Sequence, residues 1–146
     1  MFMKKFELTS ETIINNGKTL YRIKALIDFS NIKAGELGGF VEKESNLNHK
    51  GNAWVYGNAC VSGNARVSDN AWVYGNADYT TISGFGTRFR TTTFFKCSDK
   101  KIRVNCGCFY GTIDEFREQV NKTRTGKIAK EYLLIADLME EHFKED

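Results

Sequence analysis

The chain has no proline among its 146 residues. That excludes a proline-rich linker between domains. Histidine is scarce: His49 and His142 are the only two, so a histidine-based site has little to draw on. No apolar run approaches the length of a membrane span, and the N-terminus MFMKKFEL lacks the apolar centre of a signal peptide. The expectation is a soluble protein of the cytoplasm. Four cysteines, Cys60, Cys97, Cys106 and Cys108, are then expected as reduced thiols without disulfides.

Charge is missing where it would be most disruptive. The stretch 51–83 is almost uncharged, whereas residues 84–130 hold eleven Lys/Arg against four Asp/Glu. Residues 131–146 reverse this, with one against six. The net charge of +3 therefore conceals a local basic surface followed by an acidic end.

The uncharged stretch is a repeat, GNAWVYGNACVSGNARVSDNAWVYGNA. Val55, Val61, Val67 and Val73 recur every six residues, and Ala53, Ala59, Ala65, Ala71 and Ala77 recur in a second phase. A helix cannot accommodate Gly-Asn at each turn. Short extended segments broken at Gly-Asn corners can, because both residues tolerate left-handed backbone. A longer phrase, Trp-Val-Tyr-Gly-Asn-Ala, returns after eighteen residues at Trp54 and Trp72. Val41 and Leu47 continue the six-residue step backwards, with two extra residues near His49-Lys50; Tyr79 and Ser83 continue it forwards.

This stretch resembles the hexapeptide repeats of left-handed β-helix proteins, written aliphatic-x-x-x-small-x. In that family three hexapeptides make one triangular coil. The resemblance implies Trp54 stacked over Trp72 and Tyr56 over Tyr74, on an outer face, with Val61 inward and Arg66 outward. Trp54, Tyr56, Trp72 and Tyr74 are then candidate interface residues, for intramolecular cover or for a homo-oligomer, dimer or trimer. The expected fold is mainly β with C-terminal α: a short left-handed parallel β-helix, an N-terminal β-hairpin cap, and a C-terminal β-hairpin with two helices. The domains are 1–35, 36–86 and 87–146.

Asn15-Asn16-Gly17 predicts the turn of the first hairpin. In the second, a turn at Ser98-Asp99 would set Phe95 against Ile102 and Thr93 against Val104 on an apolar face. Phe94 would then meet Arg103, and Lys96 would meet Lys101, on a basic one. Thr112-x-x-Glu115 has capping-box spacing and opens a helix. Ile128–Phe143 reads as a second helix with a wide apolar stripe, whose acidic end needs a basic partner. The basic hairpin is the expected partner.

Gly38-Gly39-Phe40-Val41-Glu42, the repeat, Thr92-Thr93-Phe94 and Cys106–Thr112 together resemble a group of phage and prophage proteins. They join GNA-x-V-x repeats to a Cys-Gly-Cys-Phe module. The resemblance implies a phage-type protein acting in the host cytoplasm.

Three constellations offer chemistry. Hexapeptide-repeat acyltransferases use a corner histidine as base, and His49 is the candidate here. Cys97, Cys106, Cys108 and His142 offer zinc ligands, although a buried thiol is the stronger reading. Arg88, Arg90, Phe94, Lys96, Lys101 and Arg103 form a candidate anion or nucleotide site near a helix N-terminus. Asp114 and Glu115 already occupy that terminus. The expectation is a non-catalytic, homo-oligomeric binding protein without a cofactor. Its role would be counter-defence, by blocking a host defence protein or sequestering a nucleotide signal, with an acyltransferase-like enzyme as the alternative.

Overall fold

A computed structural model describes residues 3–75 and 78–144; Ala77, the last repeat alanine, lies outside the described residues. Strands β1 (Phe6–Asn15) and β2 (Lys18–Ala25) form an antiparallel hairpin. Its turn residues, Asn16 at φ 53° and Gly17 at φ 77°, are both left-handed, as a two-residue loop of the favoured hairpin type requires. Strand β3 (Leu37–Val41) pairs antiparallel with β2, and β5 (Cys60–Val61) joins β3 in parallel. Between them β4 (Trp54–Val55) pairs in parallel with β6 (Trp72–Val73).

The left-handed parallel β-helix expected from the repeat is corrected here. The strands lie in separate sheets: a mixed sheet ordered β1-β2-β3-β5, an antiparallel one, and the two-stranded β4-β6 pair. Each hexapeptide supplies only two extended residues before the next Gly-Asn corner, too few for a continuous ladder. The N-terminal hairpin captures β5, and the next step holds only an isolated bridge between Leu47 and Val67. Register across the repeat is nevertheless informative. Trp54 aligns with Trp72, eighteen residues on, while Val41 aligns with Val61, twenty residues on. The extra two residues are those near His49-Lys50.

The inward phase is built of small and β-branched residues. Val41, Val55, Val61, Val67 and Val73 are all fully buried, packed with Ala53, Ala65 and Ala71. Asn46 sits inside with them, and every polar group it brings is used. Its Nδ2 donates to the carbonyls of Gly63 and Ala65, and its Oδ1 accepts the Lys43 amide. Gly38 and Gly39 owe their identity to close approach. A Cβ at Gly38 would lie 2.7 Å from the Trp54 ring, and one at Gly39 2.5 Å from the Ala59 carbonyl.

The chain then leaves the repeat. Strands β7 (Tyr79–Phe85), β8 (Arg90–Lys96), β9 (Ile102–Cys106) and β10 (Phe109–Thr112) form the antiparallel sheet. Tyr79 and Ser83, expected to prolong the repeat, lie in β7 instead, where Tyr79 pairs with Phe95 of β8 and Ser83 falls at an irregularity between Ile82 and Phe85.

The β8–β9 register is shifted by one residue from expectation. Phe94 faces Val104 and Phe95 faces Arg103. The loop holds three residues, not two, with Lys100 at φ 66° as the left-handed third member. A one-residue slip exchanges faces, so Arg103 shares the side of Phe95 and not that of Phe94. Phe94 and Phe95 are both 0% exposed. Phe95 packs into the repeat core, whereas Phe94 packs under the helices. The sheet is therefore a middle layer with both faces covered, not an amphipathic layer with one basic face.

Helix α1 (Ile113–Thr123) begins at the expected capping box: Thr112 Oγ1 accepts the Glu115 amide, and Glu115 accepts the Thr112 amide in return. Helix α2 (Gly126–His142) lies against α1. Its acidic end is met by Arg117 of α1, which binds Asp114, Asp137 and Glu140. The basic hairpin is not the partner. No helix among the described residues is long and apolar enough to cross a membrane.

Candidate functional site

The six residues proposed for anion binding do not form one surface. Arg88 and Arg90 lie at the β7–β8 turn, and Lys96 and Lys101 at the opposite end of the hairpin. The length of β8 separates them, roughly 20 Å at the rise of an extended strand. Phe94 is buried in the helical core and has no face for a ligand. Arg103 points to the repeat, where it pairs with Asp99 at 2.8 Å and Asp69 at 3.5 Å. Tyr110 donates its hydroxyl to the same Asp69 at 2.5 Å, and burial with that carboxylate pushes its phenol well above the ordinary range. Arg103 is thus a structural charge that ties the sheet to the repeat.

Asn105 and Thr93 do the same with neutral groups. Asn105 Nδ2 donates to the Arg66 carbonyl and to Ser68 Oγ, and Thr93 Oγ1 accepts the Arg66 amide. The Arg66 side chain is exposed, as its outward phase predicts, and donates to the Gly107 carbonyl.

What remains at the β7–β8 turn is a groove of about 450 Å³. Arg88, Arg90 and Arg124 line it with Thr87, Phe85, Tyr132 and the Cys106 and Cys108 thiols. No Asp or Glu among the described residues is in that lining. The guanidinium groups of Arg88, Arg90 and Arg124 have no carboxylate partner among the described residues, whereas Arg22, Arg103 and Arg117 each have one. Three cations sharing a groove without a counter-charge create a field that attracts an anion, and guanidinium matches phosphate in a fixed, two-pronged geometry.

Local structure holds these groups in place. Gly107, at φ 61°, opens the two-residue turn between β9 and β10, and a Cβ there would overlap the Arg90 guanidinium. Gly86, at φ 78°, lets the β7–β8 turn rest on the Tyr132 hydroxyl. Burial and the neighbouring Cys106 raise the Tyr132 phenol above its ordinary range, while Arg90 and Arg124 pull it down. Thr92 Oγ1 donates to Cys106 Sγ at 3.2 Å.

Arg124 of this groove carries no site signal in the sequence: it lies between the helices, in the turn Thr-Arg-Thr-Gly. Phe89, between Arg88 and Arg90 in the chain but outside the groove lining, is 69% exposed and left-handed at φ 51°. That conformation is uncommon for an aromatic residue.

The other constellations look different in three dimensions. The His49 ring is stacked on Phe6 at 4.2 Å; its Nδ1 accepts the Lys5 amide at 3.0 Å, and its Nε2 lies 2.8 Å from Glu44. Both ring nitrogens are engaged in holding the N-terminus to the repeat, so neither is free to act as a base in this arrangement. Cys97 is buried in the repeat core and its thiol is raised to about 11 by burial. Cys106 packs on the helical side and Cys108 is exposed in the turn. The three are thus divided between the two faces of the sheet.

The aromatic columns are divided too. Trp54 is 1% exposed, covered edge-on by Phe29 and Phe6. Its role is intramolecular cover. Tyr56 and Tyr74 stack at 4.3 Å, and Trp72 meets Tyr74 edge-on at 6.4 Å. Trp72 is 42% and Tyr74 57% exposed, so this end of the patch is open. Burial, with the neighbouring Tyr74 adding to it, pushes the Tyr56 phenol up to about 12.

No protein-family model matches the chain, and no curated protein matches it.

Proposed function

We propose that this is a non-catalytic binding protein that takes a phosphate-bearing ligand in the groove of Arg88, Arg90 and Arg124. The observation that carries this reading is the lining itself: three guanidiniums without a carboxylate partner, and no acidic wall, among the described residues. A small ligand suits this groove better than a host-protein surface does, because the cations converge on a concavity. In a phage-infected cell such binding serves counter-defence by withdrawing a phosphorylated signal. Titration calorimetry with inorganic pyrophosphate tests the groove. Binding should weaken as salt rises and vanish in Arg90→Ala with Arg124→Ala. Unchanged binding by that double variant rules the groove out.

The protein works as a homo-oligomer in this proposal, because Trp72 and Tyr74 form an open aromatic patch over Tyr56. Light scattering across a dilution series tests it. Trp72→Ala with Tyr74→Ala should shift the protein to monomer at micromolar concentration, and a wild-type monomer there refutes association.

A further inference from the structure

The arginine groove adjoins a second cavity of about 250 Å³, and the two share Arg90, Arg124, Cys106, Cys108 and Tyr132 as walls. Their walls differ in kind. Beyond the shared residues the first is lined by Arg88, Thr87 and Phe85. The second adds Phe109, Phe116 and Val120, with Gln119 and Thr123. The adjoining pair is therefore more cationic at one end and more apolar at the other.

We propose that its ligand is a nucleotide, with its base in the apolar end and its phosphate on the arginines. This rests on the reading of the groove above. Phe109 is half-buried, and its ring stands 5.7 Å from Phe116 in a tilted pair, forming the aromatic wall of the second cavity. An aromatic wall is sequence-tolerant and binds the face of a base. Gln119 supplies the edge. Its side chain is exposed on α1, and its backbone carbonyl, not its amide group, takes the Thr123 hydroxyl at 2.7 Å. The amide has no hydrogen-bond partner among the described residues, and it offers a donor and an acceptor together, which is what a purine edge requires. A sugar phosphate would leave the apolar end empty. An apolar ligand without phosphate would leave three cations unmatched.

Titration of the full chain with adenosine monophosphate, guanosine monophosphate and ribose phosphate tests this directly. At least one nucleotide should bind about tenfold or more tighter than ribose phosphate, as stacking of one base provides. Gln119→Leu should narrow or reverse the preference between the two purines and leave ribose phosphate binding unchanged. Equal binding of all three overturns the base end while the arginine groove stands. Nucleotide binding that Gln119→Leu leaves unaltered in strength and preference overturns the assignment of the edge-reading residue. No binding of any of the three overturns both this inference and the groove.

Discussion

Phe94 and Phe95 are neighbours in β8 and are both fully buried, but they belong to different cores. Phe95 completes a core of valines and alanines bounded by the N-terminal hairpin. Phe94 completes one of larger side chains, with Phe116, Tyr132, Ile135 and Met139 from the helices. The arginines divide in the same way. Arg103, on the repeat side, is neutralised by Asp69 and Asp99. Arg88, Arg90 and Arg124, at the helical end, have no such partners among the described residues. Arg117, between the two helices, is also tied to carboxylates, so the contrast is between arginines that join parts of the fold and the three that line the groove.

The strongest way to break this comparison is to attack the repeat core. Val61→Asp places a carboxylate among fully buried valines and alanines. The expected loss is about 4 kcal/mol or more, with no cooperative urea transition left. Arg66→Ala, on the outward phase, should retain a normal transition.

Paired truncations test whether the two cores are distinct. Phe94→Ala and Phe95→Ala should each cost about 3–5 kcal/mol. Hydrogen exchange should then separate them. Phe95→Ala should release amides of β4 and β6 first, and Phe94→Ala those of α1 and α2. Identical exchange patterns would mean that the two cores open as one.

Lys5 sharpens the repeat side through pH. It is 1% exposed, and its ammonium donates to the Ala53 carbonyl at 2.6 Å and the Gly51 carbonyl at 3.4 Å. Burial lowers its pKa to about 8 from an ordinary 10.5. Between these values the unfolded chain holds a proton that the folded chain has lost, so stability rises with pH across that window. The gain should be about 2 kcal/mol from pH 8 to pH 10, of the order set by the shift. Urea melts of wild type and Lys5→Met should differ by this pH-dependent component. A flat difference would mean that Lys5 stays charged in the folded protein.

The smallest stability effect belongs to the groove. Arg88→Ala with Arg124→Ala should change stability by less than about 0.5 kcal/mol, since both side chains are exposed and make no ion pair among the described residues. Arg103→Gln should cost about 2 kcal/mol, because it leaves Asp69 and Asp99 without their cation. Equal costs would erase the distinction between structural and available arginines.

Several features were legible because they depend on neighbours in the chain. The Asn15-Asn16-Gly17 turn, the capping box at Thr112 and the inward phase of the valines all follow from local conformational preference. The β8–β9 register was not legible, because it depends on one left-handed residue, Lys100, and lysine announces no such conformation. That register turns Arg103 to the repeat side, while Phe94 is buried by the packing of the helices. Arg124 is not legible as a site residue because it comes beside Arg90 only through the packing of α1 and α2 on the sheet.

By itself, the amino-acid order determined where the chain turns, which repeat residues face inward, and where the first helix starts. Each is decided within a few residues by allowed backbone angles and side-chain size. Tertiary structure decided that the repeat would be shared among separate sheets, and it decided which arginines remain available. A two-residue strand has no fixed partner until a neighbouring edge is presented to it, and β3 presented one to β5. An arginine is neutralised only by a carboxylate that folding brings close, and Asp69 reaches Arg103 but none of the groove arginines.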